Sequence, residues 1–426
     1  MPKITTASHR LTVFHLVQPV TGGVPQVVTD LVRAQVGHGI RAVVGCPPGT
    51  RLSCDLAAVG AEVLGWHAGR APGPALPAET VSAARLISAI RPDVVHAHSA
   101  KAGLAGRLAV RGRVPTVFQP HAWSFEAVDG VVSRLALAWE RYAARWADRV
   151  LCVSEAERAA GEAAGIAARW TVIRNGVDLT QFRTDRADDD RAADDRADDD
   201  RADDDRAADA DGTPGIPATG GPLVVCVGRL CPQKGQDVLL RAWPEIAGRV
   251  PGARLALVGD GPDRERLTRT APPGVLFTGA VDSARGWLRA ADVVVLPSRW
   301  EGMALVPLEA MACGRPVVLS DVGGARESLP PGRQHHGLVP PDDPGALAGA
   351  VIRLLTDPAL RESLGRQAEA HVRARFDVRH TAAAVSELYG QLLGRTLDGP
   401  ANGPVNRPPD RLPGRTRSTT RERISR

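Results

Sequence analysis

Two carboxylates, Glu301 and Glu309, stand eight positions apart within residues 297–314. The apolar run 292–296 that leads into them reads as a buried strand. A helix-like run follows, and Gly314 is a stop signal. A helix starting near Gly302 would put the two carboxylates about 12 Å apart along its axis. The amides of Gly302, Met303, Ala304 and Leu305 would then lie between them at a helix N-terminus, which attracts anions. Hydroxyls at both ends with a diphosphate between them, the layout of a nucleotide-sugar, match such a stretch. Glu309 follows Leu305 by four positions and so borders the apolar face. The same residues also fit an amphipathic core helix with two incidental glutamates.

A second apolar run, 223–227, ends in Gly228-Arg229-Leu230 and then Cys231-Pro232-Gln233-Lys234-Gly235. This puts Arg229 and Lys234 at the C-terminal edge of a parallel sheet, where ligands bind in open α/β folds. Of the 53 Arg and Lys residues only Lys3, Lys101 and Lys234 are lysines. A chain this biased toward arginine retains lysine where a compact, mobile ammonium has a use. The alternative for Lys234 is a surface charge at a helix start, where cations are disfavoured.

Arg229 with Lys234, followed by the Glu301/Glu309 pair, resembles the donor site of glycosyltransferase family 4, the retaining transferases of GT-B fold. The resemblance runs over nearly all of residues 10–393. It implies an α/β architecture of two facing Rossmann-like domains, with the second holding a nucleotide-sugar donor. It implies that Arg229 and Lys234 steady the charge on a leaving diphosphate and that Glu301 holds the transferred sugar. Glu309 would accept from ribose hydroxyls, with Gly302 to Leu305 alongside. Asp260 and Gly261, in the turn after the strand-like run 254–258, would lie near the base. No metal and no cofactor is implied, because the two cations stand in for an ion. At Met303-Ala304 the family more often has Gly, Phe or Pro, which leaves the donor sugar open.

The elements that must position these groups alternate strand and helix. Residues 11–17 read as a strand, and Thr21-Gly22-Gly23-Val24 leads into a helical pattern. A glycine-rich turn there lets amides approach a phosphate; by resemblance Gly22 and Gly23 face the donor phosphate and acceptor. A strand over 93–97 delivers His98, Ser99 and Lys101 to a helix start. Similar segments occur in family members that extend sugars on polyprenyl diphosphate. That implies acceptor binding by His98, Ser99 and Lys101, the alternative being a lysine snorkelling at a helix start. His96 reads as a strand histidine hydrogen-bonded in place. His121, ending the strand-like run 114–119, matches the family histidine that faces the transferred sugar; the rival is a capping role. Trp139, Tyr142 and Trp146 suit either a membrane interface or packing between domains.

The organisation expected is a 1–182 acceptor-side domain, a 183–211 linker, a 212–377 nucleotide-sugar domain, a 378–394 helix packing back on the first domain, and a 395–426 tail. Residues 183–211 hold six arginines against fourteen aspartates in slipped Arg-Ala-Asp repeats, with no apolar period. They read as disordered, as does the tail, with eight arginines against three acids. Net charge is +5, and the acidic linker hides a more basic body. That suits anionic partners or an anionic membrane surface. Lys101, Arg107, Arg111 and Arg113 form a candidate basic patch. The six cysteines lack metal-ligand spacing and read as reduced, in a cytoplasmic protein. Pro19, Gly22, Gly23 and Pro25 break the uncharged stretch 11–29, so it reads as strand, loop and helix start, without a membrane span.

The resulting expectation is transfer of a sugar to an acceptor hydroxyl, the acceptor a polyprenyl-diphosphate-linked saccharide at the inner face of the cytoplasmic membrane, with no nucleic-acid partner. The alternatives are a nucleotide-sugar epimerase of the same fold and a transferase for a small soluble acceptor.

Overall fold

Runs of Val, Leu and Ala without a polar alternate are what a parallel sheet covered on both faces requires. In the computed structural model, which describes residues 10–182 and 220–395, such runs form two all-parallel sheets. The first half contains β1 (Thr12–Val17), β2 (Arg41–Cys46), β3 (Glu62–Gly65), β4 (Val94–His98), β5 (Thr116–Gln119), β6 (Arg149–Cys152) and β7 (Trp170–Val172), in spatial order 3-2-1-4-5-6-7. Its main helices are α1 (Gly23–Gly37), α2 (Arg51–Ala58), α3 (Leu76–Ile90), α4 (Ser99–Val110), α5 (Gly130–Ala143) and α6 (Glu155–Ala163).

The second half repeats the plan with β8 (Leu223–Val227), β9 (Arg254–Val258), β10 (Val275–Gly279), β11 (Val293–Leu296), β12 (Val317–Ser320) and β13 (Leu338–Val339), in order 10-9-8-11-12-13. Around it lie α7 (Gln236–Arg249), α8 (Arg264–Thr270), α9 (Arg285–Ala290), α10 (Leu305–Ala312), α11 (Pro344–Thr356) and α12 (Pro358–Arg375). Strand order reverses between β1 and β4 and between β8 and β11. These are the switch points outside which an open α/β sheet binds ligands.

The last helix, α13 (Val378–Leu393), returns to the first half. Its Ala382, Val385, Leu388 and Tyr389 pack with Leu11, Val13 and Leu31 in one buried cluster. Thr381 Oγ1 donates to the Arg174 carbonyl at 2.9 Å. The 183–211 repeat and nearly all of the tail, both read above as disordered, lie outside the described residues.

Only half of the basic patch expected around α4 is surface: Arg111 and Arg113 are exposed, whereas Lys101 and Arg107 are buried. Arg107 is 1 % exposed. Its guanidinium donates to Glu140 Oε2 at 2.8 Å and to the Gly103 carbonyl at 2.8 Å, and lies 3.8 Å from the centre of the Phe118 ring. The small residues of α4 allow this. A Cβ on Gly103 would stand 2.2 Å from Phe118, so the helix sits tight on β5 and leaves Arg107 only the interior. Exposure instead falls on α5 and its approach, where Val131, Val132 and Leu135 are 64 %, 60 % and 65 % exposed. Trp139, Tyr142 and Trp146 cluster with one another on that side. No helix among the described residues is long and apolar enough to cross a membrane.

Candidate active site in the cleft between the halves

These candidate residues lie at the C-terminal edges of the two sheets, because each ends or follows a strand. Gly22 follows β1, His98 ends β4, His121 follows β5, Arg229 follows β8, Asp260 follows β9 and Glu301 follows β11. Lys234 ends a single helical turn, Pro232–Lys234. Its ammonium contacts Glu301 Oε1 at 2.5 Å, with the side chains 19 % and 12 % exposed. The Ser298 hydroxyl donates to the same oxygen at 2.8 Å. The turn after Lys234 must be glycine. Gly235 has φ 63°, and a Cβ there would meet the Pro297 carbonyl oxygen at 2.0 Å. The loop after β8 is thereby pressed against the loop after β11, which is what brings Lys234 to Glu301.

The helix after Glu301 begins three residues later than expected. Ala304 is its extended N-cap and Leu305 its first residue. The physical reason is Pro307. In a helix starting at Leu305 it falls in the first turn, where a missing N–H costs nothing, whereas a start at Gly302 would place it in the interior. Gly302 and Met303 therefore lie in a loop that docks on the first half. The Gly302 carbonyl accepts from Ser154 Oγ at 3.1 Å and the Met303 carbonyl from Asn175 Nδ2 at 2.8 Å. A Cβ on Gly302 would stand 2.8 Å from the His121 carbonyl oxygen. His121 itself has φ 60°, a left-handed conformation that is uncommon outside glycine and clusters at functional sites.

On the opposite wall Gly22, at φ 93°, leads into α1. A Cβ on Gly23 would stand 3.8 Å from the Leu305 side chain, so the glycine turn of one half faces the start of α10 in the other. Glu309, one turn along α10, opens on a cavity of about 340 Å³ lined by Gln26, Asp30, Arg51, Asp178 and Arg285. Burial, and secondarily the Asp30 carboxylate, push the Glu309 carboxyl up to about 7. Asp260 and Gly261 form a turn packed on the Arg229 loop. The Leu230 amide donates to the Asp260 carbonyl at 3.0 Å, and a Cβ on Gly261 would meet the Leu230 carbonyl oxygen at 2.2 Å. The Asp260 carboxylate accepts from the Gly261 amide and from Arg264.

The acceptor assignments change. Lys101 is 3 % exposed. It pairs with Glu79 Oε2 at 2.6 Å and donates to the Ala71 carbonyl at 2.9 Å, so its ammonium is not presented to a ligand. Glu79 also accepts from the Gly69 amide. The pair thus pins the loop on both sides of Arg70, whose pKa is lowered by burial and then by Arg229. Ser99 engages the Gln18 and His98 carbonyls. His98 is wholly buried and reaches His121, not the cleft: the two rings are 3.2 Å apart, Nδ1 to Nε2. Sequence reading missed His15, Gln35 and Asp30, which carry no local motif; the one signal is a histidine inside an otherwise apolar strand run.

The sequence model described as Glycosyltransferase Family 4 matches residues 21–181, and that described as Glycosyl transferases group 1 matches residues 221–357. A glycogen synthase of Mycobacterium tuberculosis is 31% identical over 315 residues, covering 70% of this chain and 69% of that one. A GDP-mannose-dependent alpha-(1-6)-phosphatidylinositol monomannoside mannosyltransferase of Mycolicibacterium smegmatis is 40% identical over 158 residues, 34% of this chain and 41% of that one. For this enzyme and the similar Corynebacterium glutamicum one, the match thus spans less than half of the relative's length, 41% and 43%. Among solved structures, Anabaena Alr3699/HepE in complex with UDP and glucose superposes with TM-score 0.71 at 24% identity, over 89% of this chain and 99% of that one.

Proposed function

The chain belongs to glycosyltransferase family 4, and from that premise we propose that it moves a glycosyl group from a nucleotide-sugar to a hydroxyl of a lipid-linked saccharide, with retention at the anomeric carbon. The observation that carries this reading is the contact of Lys234 with Glu301 opposite His121 and the Gly22-Gly23 turn, one cleft built by both halves.

In the proposed reaction the bond from the anomeric carbon to the donor phosphate oxygen breaks. A bond to the acceptor oxygen forms on the same face, and the acceptor proton passes to the departing phosphate. Arg229 and Lys234 oppose the charge growing on that phosphate, in a cleft where fixed charges act more strongly than in water. Glu301, steadied by Lys234 and Ser298, accepts from a hydroxyl of the sugar. His121 lies on the sugar's other side. Glu309 accepts from the ribose, in the cavity it shares with Asp30. The two cations take the part a divalent ion plays elsewhere.

The Glu309 assignment has a pH consequence. A carboxyl titrating near 7 is protonated below that pH and accepts hydrogen bonds more weakly. Donor KM is expected to rise as pH falls through this range, by up to about tenfold per pH unit, with kcat less affected. His15 and His121, pushed down by burial to about 4 and about 3, do not titrate there. Glu309→Gln should give a raised, flat KM profile; a wild-type slope in that variant would remove Glu309 from donor binding.

Three exposed apolar side chains, Val131, Val132 and Leu135, with exposed Arg134 and Arg141 beside them on α5, support a membrane-surface acceptor. Apolar residues that enter the headgroup region, flanked by cations, give reversible binding to anionic lipid. Binding to anionic vesicles is expected, weakening with salt and falling by about tenfold or more in Val131/Val132/Leu135→Ser, a loss of about 1.4 kcal/mol or more. Absence of binding at low salt, with efficient transfer to a water-soluble acceptor, would overturn the lipid-linked reading. The function as a whole is tested by mass spectrometry of products from a nucleotide-sugar panel with a polyprenyl-diphosphate saccharide acceptor. Turnover of donor without acceptor would instead indicate an epimerase.

A further inference from the structure

Strands β1 and β4 are neighbours at the centre of the first sheet, and between them they place three histidines in the interior. His15, His96 and His98 are each 0 % exposed. Polar groups in that position are costly unless hydrogen-bonded. His96 Nδ1 lies 2.6 Å from the Tyr389 hydroxyl, and His15 and His98 form a chain with Gln35 and His121. His15 Nε2 lies 2.8 Å from Gln35 Oε1 on α1, His15 Nδ1 lies 3.0 Å from His98 Nε2, and His98 Nδ1 lies 3.2 Å from His121 Nε2. The rings of His15 and His98, and of His98 and His121, are stacked at centroid distances of 5.3 and 5.5 Å.

Direction follows from the end of the chain. Gln35 Oε1 can only accept, so His15 carries its proton on Nε2 and leaves Nδ1 as an acceptor. His98 must then donate from Nε2, leaving its own Nδ1 to accept from His121 Nε2–H. A neutral imidazole has one donor and one acceptor nitrogen, so fixing one fixes the other. Burial holds all three rings of this chain neutral: His15 is pushed down to about 4, His121 to about 3, and His98 well below its ordinary value, where neighbouring imidazoles add to the effect. His121 Nδ1 has no hydrogen-bond partner among the described residues.

We infer that Gln35, His15 and His98 are positioning residues that fix the tautomer and ring orientation of His121, so that its Nδ1 meets the transferred sugar as a hydrogen-bond acceptor for a sugar hydroxyl. This rests on the placement of His121 against the sugar given above. The three buried histidines also offer ring nitrogens within 4.8 Å of one another, a spacing open to a metal ion. The facing nitrogens His15 Nδ1 and His98 Nε2 already share one proton, which a metal bound between them would displace, and the set has no anionic ligand. The relay uses every nitrogen of His15 and His98; a metal would break it.

The test is nitrogen NMR of the full chain labelled at histidine, with the His121 signals assigned by their loss in His121→Gln. The wild type should show His121 protonated on Nε2 at neutral pH. His98→Phe should release it into a tautomer mixture and lower kcat by about tenfold to a hundredfold, as small misplacements in an active site do, with donor KM nearly unchanged. His98→Asn, whose amide oxygen replaces Nδ1 as the acceptor, should retain the Nε2-protonated form and most of kcat. Gln35→Met provides the same comparison from the far end of the chain should His98→Phe not fold. A wild-type His121 protonated on Nδ1, a tautomer unaffected by His98→Phe and Gln35→Met, or stoichiometric zinc in the purified protein would overturn the relay. Turnover that ignores His121→Gln while the tautomers shift as stated would instead overturn the role of His121 in the reaction and leave the relay standing.

Discussion

Lys234→Ala is expected to lower kcat by about 100- to 1,000-fold, the usual cost of removing one donor aimed at charge that develops in a transition state. The expectation comes from position and surroundings together. Lys234 sits beside Arg229 at the C-terminal edge of the second sheet, and its ammonium is held 2.5 Å from Glu301. The substitution removes that charge from the leaving-group side and releases the carboxylate proposed to hold the sugar, so both halves of the donor are affected. Lys234→Arg should not restore the rate, because a planar fork cannot occupy the place of a compact ammonium packed under Gly228, whose Cβ would stand 3.7 Å from the lysine stem. The fold should survive. Lys234 ends a single helical turn, and Glu301 retains the Ser298 hydroxyl as a partner. Single-turnover rates with near-ultraviolet circular dichroism settle the matter. A folded variant turning over within a few-fold of wild type would remove Lys234 from the chemistry.

Glu140→Ala is expected to destabilise the first half by about 3–5 kcal/mol, because it leaves the buried Arg107 guanidinium without its counter-charge. Side-chain exposures of 1 % for Arg107 and 2 % for Glu140 leave no water to take the place of the carboxylate. The Gly103 carbonyl and the faces of Phe118 and Trp139 are what remains to the cation. A midpoint shift of about 10 °C or more would accompany a loss of this size. The double variant Arg107→Met/Glu140→Leu should recover most of it, since replacing both charges by apolar groups of similar volume removes the desolvation cost along with the attraction. Thermal unfolding of the two variants distinguishes this from a surface pair. A single variant within about 1 kcal/mol of wild type would mean that the pair is solvated.

Much of the architecture was legible in the chain. Strands at 223–227 and 254–258 fall where the apolar runs end, because a strand buried on both faces must be continuously apolar. The short β13, two residues long, carries no period that could announce it. The approach of Lys234 to Glu301 was also legible, because strand-end loops of a parallel sheet all open on one edge. The late start of α10 has a cause in the sequence itself, Pro307, which fits the first turn of a helix but not its interior. Its consequence, a Gly302-Met303 loop docked on Ser154 and Asn175, was not visible, since those partners lie more than a hundred residues away.

Charge was the property that local reading placed least well. Lys101, Arg107, Arg111 and Arg113 look alike along the chain, yet two of them are buried. Which two depends on Glu79 and Glu140, each brought by a different helix to where α4 crosses the sheet. The histidines show the same division. Their positions in β1 and β4 follow from the sequence, but the chain from Gln35 to His121 exists only because α1, β1, β4 and the turn after β5 meet. Sequence by itself determined the parallel strands and the sheet edge on which the candidate residues lie, since apolar periodicity and strand ends are local. Tertiary structure decided which charged and polar side chains open on the cleft and which hold one another, since burial and pairing depend on partners remote in the chain.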